Sequence, residues 1–160
     1  MISDSNAMPP HTVSPCCTTA SPTVAKVMTP EIRELFAAAV AAQENAHCPY
    51  STYPVGAAVR TSSGAIFAGC NVENAAFPNG TCAEAGAIAT MVAGGERTIT
   101  EVVTVTGGES PGTPCGGCRQ RIREFAAPDA IIHATTNDGA ILTMSMDELL
   151  PASFGPEQLG

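Results

Sequence analysis

Basic residues are scarce: seven Lys and Arg stand against fifteen Asp and Glu, a formal net charge of −8. A surface that follows nucleic-acid phosphates needs clustered cations, so this balance argues against a nucleic-acid partner. Tryptophan is absent and aromatics make up only 4% of the chain, which leaves Ala, Val, Ile and Leu to fill most of a core. No apolar run approaches the ~20 residues that cross a bilayer. The N-terminus lacks the basic-then-apolar layout of a secretory signal, so no membrane partner is expected.

What is present points to one domain. A chain of 160 residues, 44% hydrophobic, is long enough to bury one core. Seven cysteines is an odd number. Two of them, Cys115 and Cys118, have metal-binding rather than disulfide-framework spacing, and a reducing cytoplasm fits that usage best.

Residues 1–28 are rich in Pro, Ser and Thr without periodicity and are expected to be a flexible leader. Cys16, Cys17 and His11 in it are expected to be bystanders. The folded domain, 29–160, should open at Thr29-Pro30, an N-cap followed by Pro at the first helical position, with a helix through about Ala46. Val55–Thr61 and Ala65–Cys70 read as strands joined by a Ser62-Ser63-Gly64 turn. A polar loop, 71–80, leads to a helix from Cys82 to about Ala93, closed by Gly94-Gly95. Thr98–Thr106 reads as a buried strand, and Cys115 opens a helix to about Ala126. Ala130–Thr135 and Ala140–Met144 form strands around an Asn137-Asp138-Gly139 turn, and Met146–Leu150 a last helical turn. This order implies a three-layer α/β/α domain. His133, in an apolar strand, is expected to be a satisfied core residue, and His47 a residue of a helix end.

The stretches that carry chemistry are Cys82-Ala83-Glu84 and Pro114-Cys115-Gly116-Gly117-Cys118. Three thiolates can hold a Zn2+ ion and leave a fourth position open for water, the mark of a catalytic rather than a structural centre. Glu84 then has a role as proton carrier. Both clusters fall at expected helix N-termini, whose free N–H groups stabilise thiolate, and Arg119 beside Cys118 can add a cation. A closed structural site completed by Cys48 or Cys70 is the alternative.

With these stretches in view, the chain resembles the small, homotetrameric, three-cysteine cytidine deaminases over roughly residues 30–159. The likeness rests on 49–58, 69–76, Cys82-Ala83-Glu84, 114–120 and 149–154. It implies a cytidine-deaminase-like fold with a mixed five-stranded sheet. It also implies hydrolysis of cytidine and 2′-deoxycytidine to uridine and 2′-deoxyuridine, with ammonia released, in pyrimidine salvage. By resemblance Cys82, Cys115 and Cys118 hold zinc, and Glu84 passes protons from water to N3 and the leaving amine. Asn71 and Glu73 bind the ribose, Tyr53 packs on the pyrimidine, and Phe77 and Phe154 are aromatics at a site shared between subunits of a tetramer. Tyr53 stands where Phe is usual, and Phe77 where Tyr is usual. Ala85 stands where many relatives carry Arg, which leaves charge neutralisation to Arg119 and the helix dipoles. A deaminase of nucleoside antibiotics is disfavoured by Asn71-Val72-Glu73. A nucleotide or polynucleotide deaminase is disfavoured by the charge.

Overall fold

Thr29 caps the first helix as its sequence context requires: the backbone is extended there and its Oγ1 accepts the Ile32 N–H at 3.4 Å. The computed structural model describes Ala25 and residues 27–159. Helix α1 (Pro30–Gln43) stops short of the expected Ala46. Its last residue, Gln43, is buried and donates through Nε2 to the carbonyls of Pro54 and Val105, so that side chain is committed to the sheet.

The strands are β1 (Val55–Thr61), β2 (Ile66–Cys70), β3 (Ile99–Thr106), β4 (Ala126–Thr136) and β5 (Ile141–Ser145). They form one sheet in the order β2-β1-β3-β4-β5. Only β3 and β4 run parallel, so the sheet is mixed. Between β2 and β3 comes α2 (Ala83–Ala93). Between β3 and β4 comes α3 (Gly116–Phe125), and α4 (Met146–Leu149) follows β5. The turns at Gly64 and Gly139 are where they were expected, both at positive φ.

β4 departs from expectation. It begins at Ala126, directly after α3, and not at Ala130, because Ala126 already pairs with Ile99 before an irregularity in the β3–β4 register. Pro128 obscures that start, since proline reads as a strand breaker.

Alternation along β1 splits the core in two. Ala57 and Val59 join Ala87, Met91, Ile122 and Ile132 on the face covered by α2, α3 and α4. Ala58 joins Leu35, Ala39, Val103 and Val105 beneath α1. Both faces of the sheet are thus covered, as the three-layer expectation required. Truncating a fully buried residue such as Met91 or Ile122 to Ala would cost about 2–5 kcal/mol.

One close contact fixes the site. At Gly69, in β2, a Cβ would lie 2.4 Å from the Ala87 nitrogen and 2.8 Å from the Ala83 carbonyl oxygen. The first turns of α2 therefore rest directly on strand backbone.

Ala25 exchanges two backbone hydrogen bonds with Ile141, each 2.9 Å, and Met28 is buried, so contact with the sheet precedes Thr29. Residues 1–24, with His11, Cys16 and Cys17, lie outside the described residues. No helix among those described is long and apolar enough to cross a membrane.

Candidate active site

Helices α2 and α3 both begin at a cysteine. Cys82 and Cys115 are their N-caps, each with extended backbone, and Cys118 sits in the first turn of α3. The three Sγ atoms lie within 4.8 Å of one another, and Cys82 and Cys115 Sγ are 3.8 Å apart. Thiolates about 2.3 Å from a tetrahedral zinc would stand ~3.8 Å apart, so the spacing suits that ion. Among the described residues neither Cys48 nor Cys70 joins the group, which removes the closed alternative. Three sulfur donors leave one position for water.

The thiols also show why a cation is wanted. Burial pushes the Cys118 thiol far above its ordinary range, and the neighbouring Glu84 adds to the effect. Burial raises Cys82 as well, with further upward pressure from Cys115 and Glu84. Cys115 is lowered: burial opposes this, but hydrogen bonds from the Cys118 backbone and from the two other thiols outweigh it. Metal binding displaces thiol protons, so a dication here replaces mutual repulsion by attraction.

Glu84, in the first turn of α2, is 5% exposed and in side-chain contact with Cys118. It lines an inner cavity of ≈ 210 Å³ with Tyr53, Thr104, Thr106, Thr113 and Cys115. An outer cavity of ≈ 530 Å³ is lined by Tyr50, Ser51, Glu73, Asn74, Phe77 and Thr81 among others. Asn71 and Cys82 line both, so they mark where the two meet.

The other expected residues fall as follows. Asn71 Oδ1 accepts the Val55 N–H at 2.8 Å, and its Nδ2 donates to the Tyr53 carbonyl at 3.0 Å. Glu73 Oε2 accepts the N–H groups of Tyr50 and Ser51 at 2.8 and 3.2 Å. The Ser51 side chain, then those N–H groups, hold the Glu73 carboxyl below its usual range. Both residues therefore tie down the loop before β1 while facing the outer cavity. Phe77 is exposed and meets Tyr50 edge-on, ring centroids 5.8 Å apart. Phe154 lies on the C-terminal segment and lines neither cavity. Arg119 donates to the Pro114 carbonyl at 2.8 Å, the Leu149 carbonyl at 3.1 Å and Thr113 Oγ1 at 3.1 Å. It braces the loop that carries Cys115.

Sequence reasoning passed over Tyr50, Thr104 and Thr106. The two threonines had a signal: polar residues at alternate positions of an otherwise apolar strand share one face.

Comparison with known proteins agrees with this geometry. The family described as "Cytidine and deoxycytidylate deaminase zinc-binding region" matches residues 29–134. The class is therefore that of zinc-binding deaminases. A cytidine deaminase of Sporosarcina psychrophila is 38% identical over 129 residues, covering 81% of this chain and 95% of that protein. A probable cytidine deaminase of Dictyostelium discoideum is 37% identical over 130 residues, 81% of this chain and 87% of the other. The crystal structure of cytidine deaminase from Burkholderia pseudomallei superimposes with a TM-score of 0.74 at 39% identity, covering 79% of this chain and all of that one. The chain belongs to the cytidine deaminase family of zinc-dependent hydrolytic enzymes.

Proposed function

We propose that the enzyme converts cytidine and 2′-deoxycytidine, with water, to uridine and 2′-deoxyuridine plus ammonia, as a step of pyrimidine salvage in the cytoplasm. The observation that carries this reading is a three-thiol cluster with a buried carboxylate beside it, at the junction of an inner and an outer cavity. Zinc held by Cys82, Cys115 and Cys118 would supply Lewis acidity that brings the pKa of water toward neutrality.

Glu84 is the group positioned to move protons. It accepts one from the attacking water, delivers it to N3 as C4 becomes tetrahedral, and helps protonate the departing amine. Its burial keeps bulk water from competing for those protons. Tyr53 gives the inner cavity an aromatic wall for the pyrimidine. Its hydroxyl would lie 3.5 Å from a Cβ on Gly108, which directs that polar tip toward the following loop. Asn71 and Glu73 face the sugar from the outer cavity. A carboxylate has about four lone-pair sites, so Glu73 keeps acceptor capacity for a hydroxyl after serving the 50–51 loop. Its charge also disfavours a phosphate, which selects nucleoside over nucleotide. Phe77 and Phe154 are exposed aromatics suited to complete a site across subunits of a homotetramer.

The test follows cytidine absorbance in the ultraviolet beside zinc analysis. Glu84→Gln should lower kcat by roughly 10²–10⁴-fold while retaining about one zinc per chain. Turnover near wild type in that variant would sink the assignment. A chain that elutes as a monomer yet is fully active would sink the shared-site part.

A further inference from the structure

Arg123 lies beyond Cys118 on α3, and nothing in the chemistry above employs it. It is 9% exposed, yet fully engaged. Its Nε donates to Ser153 Oγ at 3.0 Å, one terminal nitrogen donates to the Ala126 carbonyl at 3.3 Å, and the other pairs with the Glu157 carboxylate. One turn earlier, Gln120 Nε2 donates to the backbone carbonyl of Phe154 at 2.9 Å. The 153–157 segment is therefore gripped on both sides of Phe154 by a single helix, the one that also presents Cys115 and Cys118.

Gly155 completes the clasp. A Cβ there would lie 2.5 Å from Arg123 Nη2 and from a Glu157 carboxylate oxygen, so the grip closes on bare backbone. Withdrawing a guanidinium from water costs free energy that its hydrogen bonds must recover. What this arrangement holds in place is a ring on a residue that stays 58% exposed. Burial of the ring does not account for it; what the bonds fix is the backbone that carries the ring.

We propose that Arg123 is a positioning residue of the nucleoside site of a neighbouring subunit: by locking Ser153 and Glu157 to α3, it holds the backbone that carries Phe154 in place, so that the ring stands out as an aromatic wall for nucleoside bound there. This rests on the reading of Phe154 as a substrate contact given above. A floppy tail would have to be ordered on binding, and the lost entropy would appear in KM and not in the chemical step.

The experiment is steady-state kinetics with cytidine on the zinc-loaded, full-length enzyme. Phe154→Ala should raise KM by about 5–10-fold with kcat within about twofold, the scale of a lost aromatic contact. Arg123→Gln should raise KM by a similar factor. The double variant should be no worse than Phe154→Ala alone, because both changes act through one ring. Glu157→Gln releases a single arm from the surface, so a smaller KM rise is expected from it, and it keeps the test available should Arg123→Gln fail to fold. Wild-type KM in the Arg123 and Glu157 variants, beside a raised KM in Phe154→Ala, overturns the clasp alone. So do factors that multiply in the double variant. Wild-type KM in Phe154→Ala overturns the role of Phe154 and the clasp together.

Discussion

The two faces of the sheet handle charge in opposite ways. Beneath α1 a ladder of polar groups crosses four strands. Thr143 Oγ1 meets His133 Nδ1 at 2.8 Å, His133 Nε2 meets Glu101 at 3.1 Å, and Arg60 Nε donates to Glu101 at 3.1 Å. Arg60 then reaches Glu34 and the Glu31 carbonyl on α1. Each group has an internal partner, and the hydrogen bond from His133 is the main force holding the Glu101 carboxyl below its usual range. On the other face, three thiols and Glu84 converge with one sign of charge available to them. The first cluster is complete in itself. The second is left electrically open, and that opening is what a metal and a substrate can fill.

Removing zinc gives the largest expected break in this contrast. At free zinc about 1,000-fold above Kd, binding contributes about 4 kcal/mol, so chelation should lower the thermal midpoint by about 10 °C and abolish turnover. Ladder variants should keep that same sensitivity to chelator. A midpoint indifferent to chelator would mean that the thiol cluster does not need the ion.

Arg119→Ala comes next. Loss of the brace on Pro114, Thr113 and Leu149 should reduce zinc affinity or turnover by about 10–100-fold, with Arg119→Lys in between. Near-normal values would show that the helix N-termini position and neutralise the thiolates alone.

Glu101→Gln should leave kcat and zinc content unchanged and cost about 2 kcal/mol in urea denaturation, through weakened pairing of Arg60 and His133. The pH sign is definite. Because the folded pKa of Glu101 is depressed, its contribution is present above the ordinary Glu value of ~4.3 and is lost as pH falls through the lower folded value. The variant should therefore lose stability less steeply on acidification, and an unchanged acid limb would contradict the ladder.

The smallest effect is expected from Ala85→Arg, which would lend the thiol side an internal cation of the kind the ladder has. Lower thiol pKa values should move the pH midpoint of zinc release down by about half a unit. An unmoved midpoint would show that position 85 is too far from the sulfurs to matter.

Much of this was legible because local chemistry announces it. Thr29-Pro30 marks a helix start on its own, Gly64 and Gly139 mark turns, and Cys-x-x-Cys marks a metal loop. Cys82 and Cys115 were placed at helix N-termini from sequence, and there they stand. His133 was expected to be a satisfied core residue, but its partners Thr143 and Glu101 lie on two other strands and could be known only once the sheet order was known. The clasp escaped for the same reason. Arg123 and Glu157 are 34 residues apart, and nothing near either one indicates the other. The early start of β4 was hidden by Pro128, where tertiary pairing with Ile99 overrode a local breaker signal.

Gly69 has a consequence for how this protein can change over generations. The helix that carries Cys82 and Glu84 rests on bare backbone there, so the smallest possible side chain would displace a carboxylate and a thiol that it never touches. Most surface positions can drift freely. At position 69 selection must preserve an absence, one that a search for reactive side chains would pass over.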